Sequence, residues 1–184
     1  MSTRVLIVTG EFGESLEVYY CHYRLREEGI ETVIAAPAKK SLQLVIHDVE
    51  PGYDTYTEKL GYRVRVDAAF GDVDPARFDG LIIPGGRAPE EIRNHPELLH
   101  IVRHFIAQAK PIGALCHGVM VLYTAGSLED VNVTCYAGIR PDVEMAGANY
   151  HDEEVVVDGH IVTSRGWHDL GPFCKAFLAL LDER

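Results

Sequence analysis

Residues 111–122 read PIGALCHGVMVL, and this stretch decides the fold class. The run IGAL at 112–115 has the length and apolar composition of a strand buried in a parallel sheet. It ends at Cys116, and we expect a helix to follow at once, over about 117–125. A small residue, Gly118, comes two positions later, which suits a tight turn. A strand that turns directly into a helix is a nucleophile elbow, which lifts the side chain at the turn clear of the sheet.

Apolar strands and amphipathic helices alternate on both sides of this elbow. We expect strands at 5–8, 32–36, 80–83 and near 131–136, a hairpin at 155–164, and helices at 15–28, from Pro96 and near Pro172. The alternation predicts an α/β three-layer sandwich with a mainly parallel sheet. Residues 38–66 interrupt it with two exposed strands around a turn-rich stretch, which we interpret as an excursion from the main sheet. The whole chain, 1–184, is predicted to form a single domain.

Bulk composition excludes several classes of function. The formal net charge of −11 argues against binding to nucleic acid or to an acidic membrane surface, because both need a cationic face. We find no leader peptide and no apolar stretch as long as a membrane span. The four cysteines form no CxxC pair, and no histidine spacing is typical of a metal site. We therefore expect a cytoplasmic protein without a metal or other cofactor.

The chemistry expected at Cys116 follows from its place in the fold. Ligands bind at the carboxyl ends of parallel strands, where this residue lies. A helix N-terminus can lower a thiol pKa from about 8.5 to roughly 3.5–7.5. We therefore expect Cys116 to be an ionised nucleophile. The other cysteines lack this setting, and packing explains them better: Cys21, Cys135 and Cys174.

Four motifs together resemble the ThiJ/PfpI family. They are ESLEVYY at 14–20, PGGRAPE at 84–90, ALCHG at 114–118 and SRG at 164–166, in the family's order. The resemblance covers nearly the whole chain and implies a flavodoxin-like sheet related to the class I glutamine amidotransferase domain. A weaker similarity, IHDVEPGYDTYTEKLGY at 46–62, points to plant members with two fused domains, usually assigned as glyoxalases.

The resemblance assigns roles around the elbow. Cys116 would be the nucleophile, and Glu17 the carboxyl group in contact with it. Glu14 is a second-choice partner, although both acids could simply favour the N-terminus of the first helix. The backbone N–H groups of Gly86 and His117 resemble the family's oxyanion hole, which stabilises charge on the attacked oxygen.

Other positions are candidates with an open alternative. In PfpI-like members the residue at His117 is the base, and it is oriented by the glutamate at Glu90 of a neighbouring subunit. Gly85 would line the pocket or simply make a turn. Trp167 and His168 stand where the family more often has Gly-Pro, and they could line the pocket or serve only packing.

Three functions remain open from the sequence. The first is a glyoxalase III or deglycase-type reaction on small 2-oxoaldehydes such as methylglyoxal, without glutathione or metal. The second is a PfpI-like intracellular cysteine peptidase or amidase, using Cys116, His117 and Glu90. The third is a redox-sensing stress protein or chaperone, since a reactive cysteine oxidises readily. The expected partners are a small carbonyl substrate or a peptide and further copies of the chain, as a homo-oligomeric dimer, trimer or hexamer.

Overall fold

The structure is a computed structural model that describes residues 3–126 and 128–183. Its strands are β1 (Arg4–Val8), β2 (Glu31–Ala36), β3 (Ser41–Asp48), β4 (Thr57–Arg65), β5 (Ala68–Ala69), β6 (Gly80–Ile83), β7 (Ile112–Leu115), β8 (Asn132–Val133), β9 (Asn149–Tyr150), β10 (Val155–Asp158) and β11 (Ile161–Ser164). Its α-helices are α1 (Ser15–Glu27), α2 (Ala88–Ile92), α3 (Pro96–Ala107), α4 (Val119–Ala125), α5 (Arg140–Met145) and α6 (Leu170–Asp182). The ends of the predicted domain, Met1, Ser2 and Arg184, and the internal Ser127 lie outside the described residues.

Seven strands form the central sheet in the order β10-β11-β7-β6-β1-β2-β5. Every neighbouring pair is parallel except β10 and β11, which form a hairpin at the edge. One apolar cluster covers the face under α3, α4 and α5, and a second covers the face under α1 and α6. The predicted α/β sandwich with a mainly parallel, flavodoxin-like sheet is therefore confirmed.

The sequence predicted best those elements in which apolar residues recur over several turns. The stripe of Leu98, Ile101, Val102 and Phe105 lies buried on α3, as its spacing predicts. No pattern predicted α2 and α5, because helices of five and six residues are too short to show a period. The strand expected near 131–136 is reduced to the two residues of β8, which pairs with β9.

The β3–β4 hairpin forms a two-stranded sheet of its own. It is tied to the loop between β1 and α1, because Phe12 N donates to Gln43 O at 2.7 Å and Val45 N donates to Gly13 O at 3.0 Å. The hairpin therefore stands beside the N-terminus of α1, at the carboxyl edge of the central sheet.

The cysteines outside the elbow are buried, as packing residues should be. Cys21 on α1 faces Cys174 on α6, with 3.8 Å between the two sulfur atoms. Across the described ranges, no helix combines the length and the apolar character needed to cross a bilayer.

Candidate active site at the strand-to-helix elbow

The backbone at Cys116 makes the predicted elbow. Cys116 has φ 53°, a left-handed conformation that non-glycine residues adopt at a cost of about 1–3 kcal/mol. A 3-10 turn over 116–118 follows, and α4 begins at once. Gly118 is required here, because a Cβ atom at this position would lie 2.0 Å from Ile83 O. The end of β6 therefore packs directly against the turn that carries the cysteine.

Gly85, in the loop after β6, brings Glu17 to the cysteine. Its backbone N–H donates to Glu17 Oε2 at 2.6 Å. A Cβ atom on Gly85 would lie 2.6 Å from Cys116 Cβ and 3.0 Å from Glu17 Oε2. Cys116 Cβ and the Glu17 carboxyl group therefore flank a space smaller than one methyl group, and only glycine leaves room for both.

The Glu17 carboxyl group is held in its protonated form at neutral pH. Burial, together with the nearby charge of Glu14, raises the pKa of Glu17 to about 8, although the Gly85 N–H opposes this shift. Since Oε2 accepts from Gly85, the acidic proton belongs on Oε1, which has no partner among the described residues. Glu17 can therefore donate a proton to a bound molecule or to the sulfur.

Glu14 supports this arrangement from the start of α1. It is the N-cap residue, and its Oε2 accepts from Glu17 N at 2.8 Å. Burial raises the pKa of Glu14, while backbone N–H groups of the first turn lower it. Glu14 therefore fixes the helix start that aims Glu17 at the elbow.

The expectation of a freely ionised thiol is wrong for this chain. Cys116 is 1 % exposed, and burial and then the charge of Glu17 raise the pKa of its thiol above its ordinary value. The N–H groups of His117 and Gly86 lower that pKa, but they do not outweigh burial. The helix that was expected to favour the thiolate is also short, since α4 has seven residues after the 3-10 turn. Ionisation of Cys116 must therefore be coupled to proton transfer.

His117 is placed to take that proton. Its Nδ1 lies 3.4 Å from Cys116 Sγ. Burial and the neighbouring His47 lower the pKa of His117 to about 4, although Asp142 opposes the shift. The ring is therefore neutral at physiological pH and has one nitrogen free to accept a proton. The backbone N–H groups of His117 and Gly86, expected as an oxyanion hole, both lie beside the Cys116 sulfur.

Aromatic rings that sequence reasoning missed surround the elbow. Tyr56, from the hairpin, lies 6.4 Å from the His117 ring and 5.4 Å from Tyr136, centroid to centroid. Tyr136 in turn lies 4.9 Å from His117. Burial and then the charge of Cys116 raise the pKa of Tyr56 to about 12. The turn-rich segment 46–62 contains Tyr56, but no fixed spacing linked that segment to the elbow. No motif pointed to Tyr136.

Trp167 and His168 belong to the same region. The Trp167 ring makes an edge contact with His47, at 6.0 Å between centroids. A Cβ atom on Gly166 would lie 3.6 Å from His168 Cε1 and 3.7 Å from Glu17 Oε1. His168 is half exposed, so it stands at the rim, beside the unpartnered oxygen of Glu17.

Glu90 is not brought to His117 within the chain. It lies exposed on α2, and no contact joins it to His117 in residues 3–126 and 128–183. Its charge acts on the phenol of Tyr56 instead. The role of a neighbouring subunit's Glu90 stays a prediction. Within the same ranges, no group of three or more His, Cys, Asp or Glu side chains could hold a metal ion.

The fold and site define a class of protein: a flavodoxin-like α/β sandwich with a cysteine at a nucleophile elbow. The sequence profile of the DJ-1/PfpI family matches residues 3–180. The chain belongs to this family, which is the ThiJ/PfpI family that the motifs predicted.

Three similar proteins illustrate its place in the family. "Deglycase PfpI" of Pyrococcus furiosus is 38% identical over 97% of this chain and 99% of its own length. "Putative cysteine protease YraA" of Bacillus subtilis is 36% identical over 98% of this chain and 99% of its own length. A solved two-domain protein from Anabaena variabilis, with DJ-1/ThiJ/PfpI-like and ferritin-like domains, superposes with a TM-score of 0.87 at 28% identity. That superposition covers 98% of this chain and 48% of the Anabaena protein.

Proposed function

We propose that the protein is a cysteine-dependent enzyme of the glyoxalase III or deglycase type, acting on small 2-oxoaldehydes without glutathione or metal. One observation carries this proposal: the buried Glu17 carboxyl group and the side chain of Cys116 lie on either side of Gly85. Burial also raises the pKa of Glu17 to about 8. A thiol supplies the nucleophile that adds to an aldehyde. A carboxyl group whose pKa is near neutrality can both give and take a proton. Relatives named as deglycases support the same class of reaction.

The first step forms a hemithioacetal. Cys116 Sγ bonds to the aldehyde carbon while its proton passes to Nδ1 of the neutral His117. The electron pair of the C=O bond moves to oxygen, and Glu17 protonates that oxygen. Both groups are then charged, with His117 as an imidazolium and Glu17 as a carboxylate. The burial that disfavours both charges helps to drive the next transfers.

The second step moves hydrogen between adjacent carbons. Glu17 takes the proton from the former aldehyde carbon, and His117 protonates the neighbouring carbonyl oxygen, which gives an enediol. Glu17 then returns its proton to the second carbon, and His117 removes the proton of the first hydroxyl group, which gives a thioester. Water then attacks the thioester carbon and gives one proton to Glu17, the S–C bond breaks, and His117 returns its proton to the sulfur. This yields a 2-hydroxy acid and restores the thiol, the protonated Glu17 and the neutral His117. Methylglyoxal and water thus give lactate, with no change in overall oxidation state.

The proposal is tested by lactate formation from methylglyoxal, with chelator present and glutathione absent. We expect turnover by the wild type and a loss of at least about 1000-fold in Cys116→Ala. Cys135→Ala is the matched control, since Cys135 is also buried but lies outside the elbow, and it should keep most of the activity. A wild type that makes no lactate, or a fully active Cys116→Ala variant, contradicts the proposal.

A cysteine peptidase or amidase is the second candidate. The 3.4 Å contact between Cys116 Sγ and His117 Nδ1 suits it, and one relative is named as a putative cysteine protease. This function would require Glu90 of a second copy to orient His117. Hydrolysis of fluorogenic peptides that is lost in Glu90→Gln would support it, with exposed Glu91→Gln on the same helix as the control. A strictly monomeric protein would count against it.

We also propose that the chain forms homo-oligomers. An apolar surface joins α1 to the β3–β4 hairpin. Its exposed residues are Leu16 (51%), Tyr23 (56%), Ile46 (36%) and Tyr62 (73%). Apolar surface of this kind is typical of protein interfaces. Sedimentation should show a dimer or larger assembly in the wild type, and a lower mass in Tyr62→Lys. A wild-type monomer at micromolar concentration contradicts this proposal.

A further inference from the structure

His47, on β3, is a buried titratable residue that the reaction described above does not use. Its side chain is 0 % exposed. A histidine removed from water must have its ring nitrogens satisfied or must be kept for a purpose, because an unpaired buried polar atom costs about 1–3 kcal/mol. The contacts of the two nitrogens therefore show what the residue can do.

The first ring nitrogen, Nε2, is held by Glu58, which is itself bound to Arg87. His47 Nε2 lies 3.0 Å from Glu58 Oε2, and Glu58 Oε1 accepts from Arg87 Nη1 at 3.2 Å. Burial opposes ionisation of Glu58, but the hydrogen bonds from His47 and Arg87 prevail and lower its pKa. A carboxylate can only accept hydrogen bonds. A single ring proton is therefore placed on Nε2, facing the carboxylate, and in that tautomer Nδ1 is an acceptor.

The second nitrogen, Nδ1, is buried and has no hydrogen-bond partner among the described residues. In an imidazole ring the two nitrogens point in different directions, so Nδ1 faces away from Glu58. The His47 ring has two aromatic neighbours, Tyr56 at 4.3 Å and Trp167 at 6.0 Å between centroids. A buried ring nitrogen without a partner thus belongs to an aromatic cluster.

This cluster adjoins the elbow, because Tyr56 neighbours both histidine rings. Its ring centroid lies 4.3 Å from that of His47 and 6.4 Å from that of His117. The electrostatic influence of His47 also reaches His117, and that of Cys116 reaches Tyr56. A molecule bonded to Cys116 and lying along Tyr56 would therefore bring its polar groups towards His47.

We propose that His47 Nδ1 accepts a hydrogen bond from a hydroxyl group of the substrate adduct on Cys116. The inference rests on the proposed function, because addition of the thiol to an aldehyde creates such a hydroxyl group. The S–C bond forms, the C=O electron pair moves to oxygen, and that oxygen gains a proton. The proton shared with His47 stays on the oxygen, so no further reactant is needed. His47 thus selects carbonyl compounds whose adducts carry a hydroxyl donor on the side of the hairpin.

The alternative role of His47 is a strut that holds the hairpin through Glu58. Two substitutions separate the roles, because each keeps one nitrogen position of the ring. The amide of His47→Asn reaches about the position of Nδ1, whereas the longer His47→Gln reaches about that of Nε2 and can still bond Glu58. The experiment measures kcat and KM for methylglyoxal in both variants, together with the thermal unfolding midpoint.

We expect kcat/KM to fall about 10- to 100-fold in His47→Gln, because the loss of one hydrogen bond in a site without water has an effect of this size. The kcat/KM of His47→Asn should stay at least about five-fold higher than that of His47→Gln. Equal losses, or a Gln variant more active than the Asn variant, would overturn the inference. His47 would then only hold the hairpin in place through Glu58. A wild type that makes no lactate overturns the proposed function, and the inference falls with it.

Glu58→Gln covers the case in which neither His47 variant folds. An amide at this position no longer fixes the proton on Nε2, so Nδ1 ceases to be a reliable acceptor. We expect kcat/KM to fall several-fold, while iodoacetamide alkylates Cys116 at the wild-type rate. An unchanged kcat/KM, or a slower alkylation that accounts for the whole loss, would overturn the inference.

Discussion

The elbow and the β3–β4 hairpin contribute to one site in different ways. At the elbow, backbone atoms set the geometry: Gly85 and Gly118 leave room that any side chain would fill. In the hairpin, side chains set it, since His47, Tyr56 and Glu58 act through ring contacts and hydrogen bonds. Under the proposed function, the elbow would carry the chemistry and the hairpin would contact the bound molecule.

This difference has an energetic basis. A backbone clash cannot be relieved by a rotamer change, so the elbow tolerates no added atom. Ring contacts each contribute about 0.5–1.5 kcal/mol, so the loss of one should weaken the site without abolishing it. Substitutions at the elbow should therefore have larger effects than substitutions in the hairpin.

The largest effect is expected for Gly118→Ala. The new Cβ atom would lie 2.0 Å from Ile83 O, a backbone atom that cannot move without displacing β6. We expect a loss of at least about 3 kcal/mol in the free energy of unfolding, measured by urea titration. Gly171→Ala is the control, since nothing lies within 4 Å of a Cβ atom there and alanine favours a helix by up to about 1 kcal/mol. Similar stabilities of the two variants would contradict this account of the elbow.

Gly85→Ala should damage activity more than stability. Its Cβ atom would meet Cys116 Cβ at 2.6 Å and His117 N at 2.9 Å, which would separate the thiol from Glu17. We expect lactate production to fall at least about 100-fold, because misplacement by about 1 Å costs that much in rate. Gly71→Ala, where a Cβ atom would have no neighbour within 4 Å, should remain active. A Gly85→Ala variant with wild-type activity would show that Gly85 is not needed to position Cys116 and Glu17.

Glu17→Gln should change both the rate and the pH dependence of stability. The pKa of Glu17 is raised to about 8, so between its ordinary value of 4.5 and 8 the folded chain keeps a proton that the unfolded chain loses. The free energy of unfolding of the wild type therefore falls as pH rises through that window. Glutamine removes this penalty, and the variant should gain about 1–4 kcal/mol on the wild type between about pH 4 and pH 9.

Lactate production by Glu17→Gln should also fall about 100-fold or more, as is usual when a general acid is removed. Glu27→Gln, at an exposed position on the same helix, is the control for both measurements. A stability difference that is the same at both pH values would mean that Glu17 is ionised in the folded chain.

The smallest effect is expected for Tyr56→Phe. The ring and its contacts with His47 and His117 remain, and only the hydroxyl group of Tyr56 is lost. We expect kcat/KM for methylglyoxal to fall by about two- to five-fold, since a neutral hydrogen bond contributes about 1 kcal/mol or less. Tyr53→Phe, at a position 65 % exposed in the same hairpin, should be unchanged. If Tyr56→Phe lost more activity than Gly85→Ala, the hairpin would matter more for the reaction than the elbow, contrary to this account.

Much of the fold and part of the site could be predicted from the residues. The runs VLIV at 5–8 and IGAL at 112–115 are apolar throughout, so they had to be buried strands, and they are. Cys116 stands between such a strand and a helix, which identified the elbow. The pKa of its thiol could not be predicted, because burial and the charge of Glu17 depend on what packs above the turn.

The hairpin shows the limit of such prediction more clearly. His47 lies in a strand that was predicted only as part of an excursion from the main sheet. The residues next to it in the sequence did not indicate that its ring would be fully buried. Its partner Glu58 lies eleven positions further along the chain, across an antiparallel pair. A pairing of this kind depends on register, and a shift by one residue would turn both side chains to the other face.

Consecutive residues were enough to predict the parallel sheet and the elbow at Cys116, because apolar period and turn chemistry are local properties of the chain. Packing, by contrast, raises the pKa of Glu17, lowers the pKa of His117 and buries His47. These properties arise from burial and from charges brought together across the fold, and both exist only once the chain has packed.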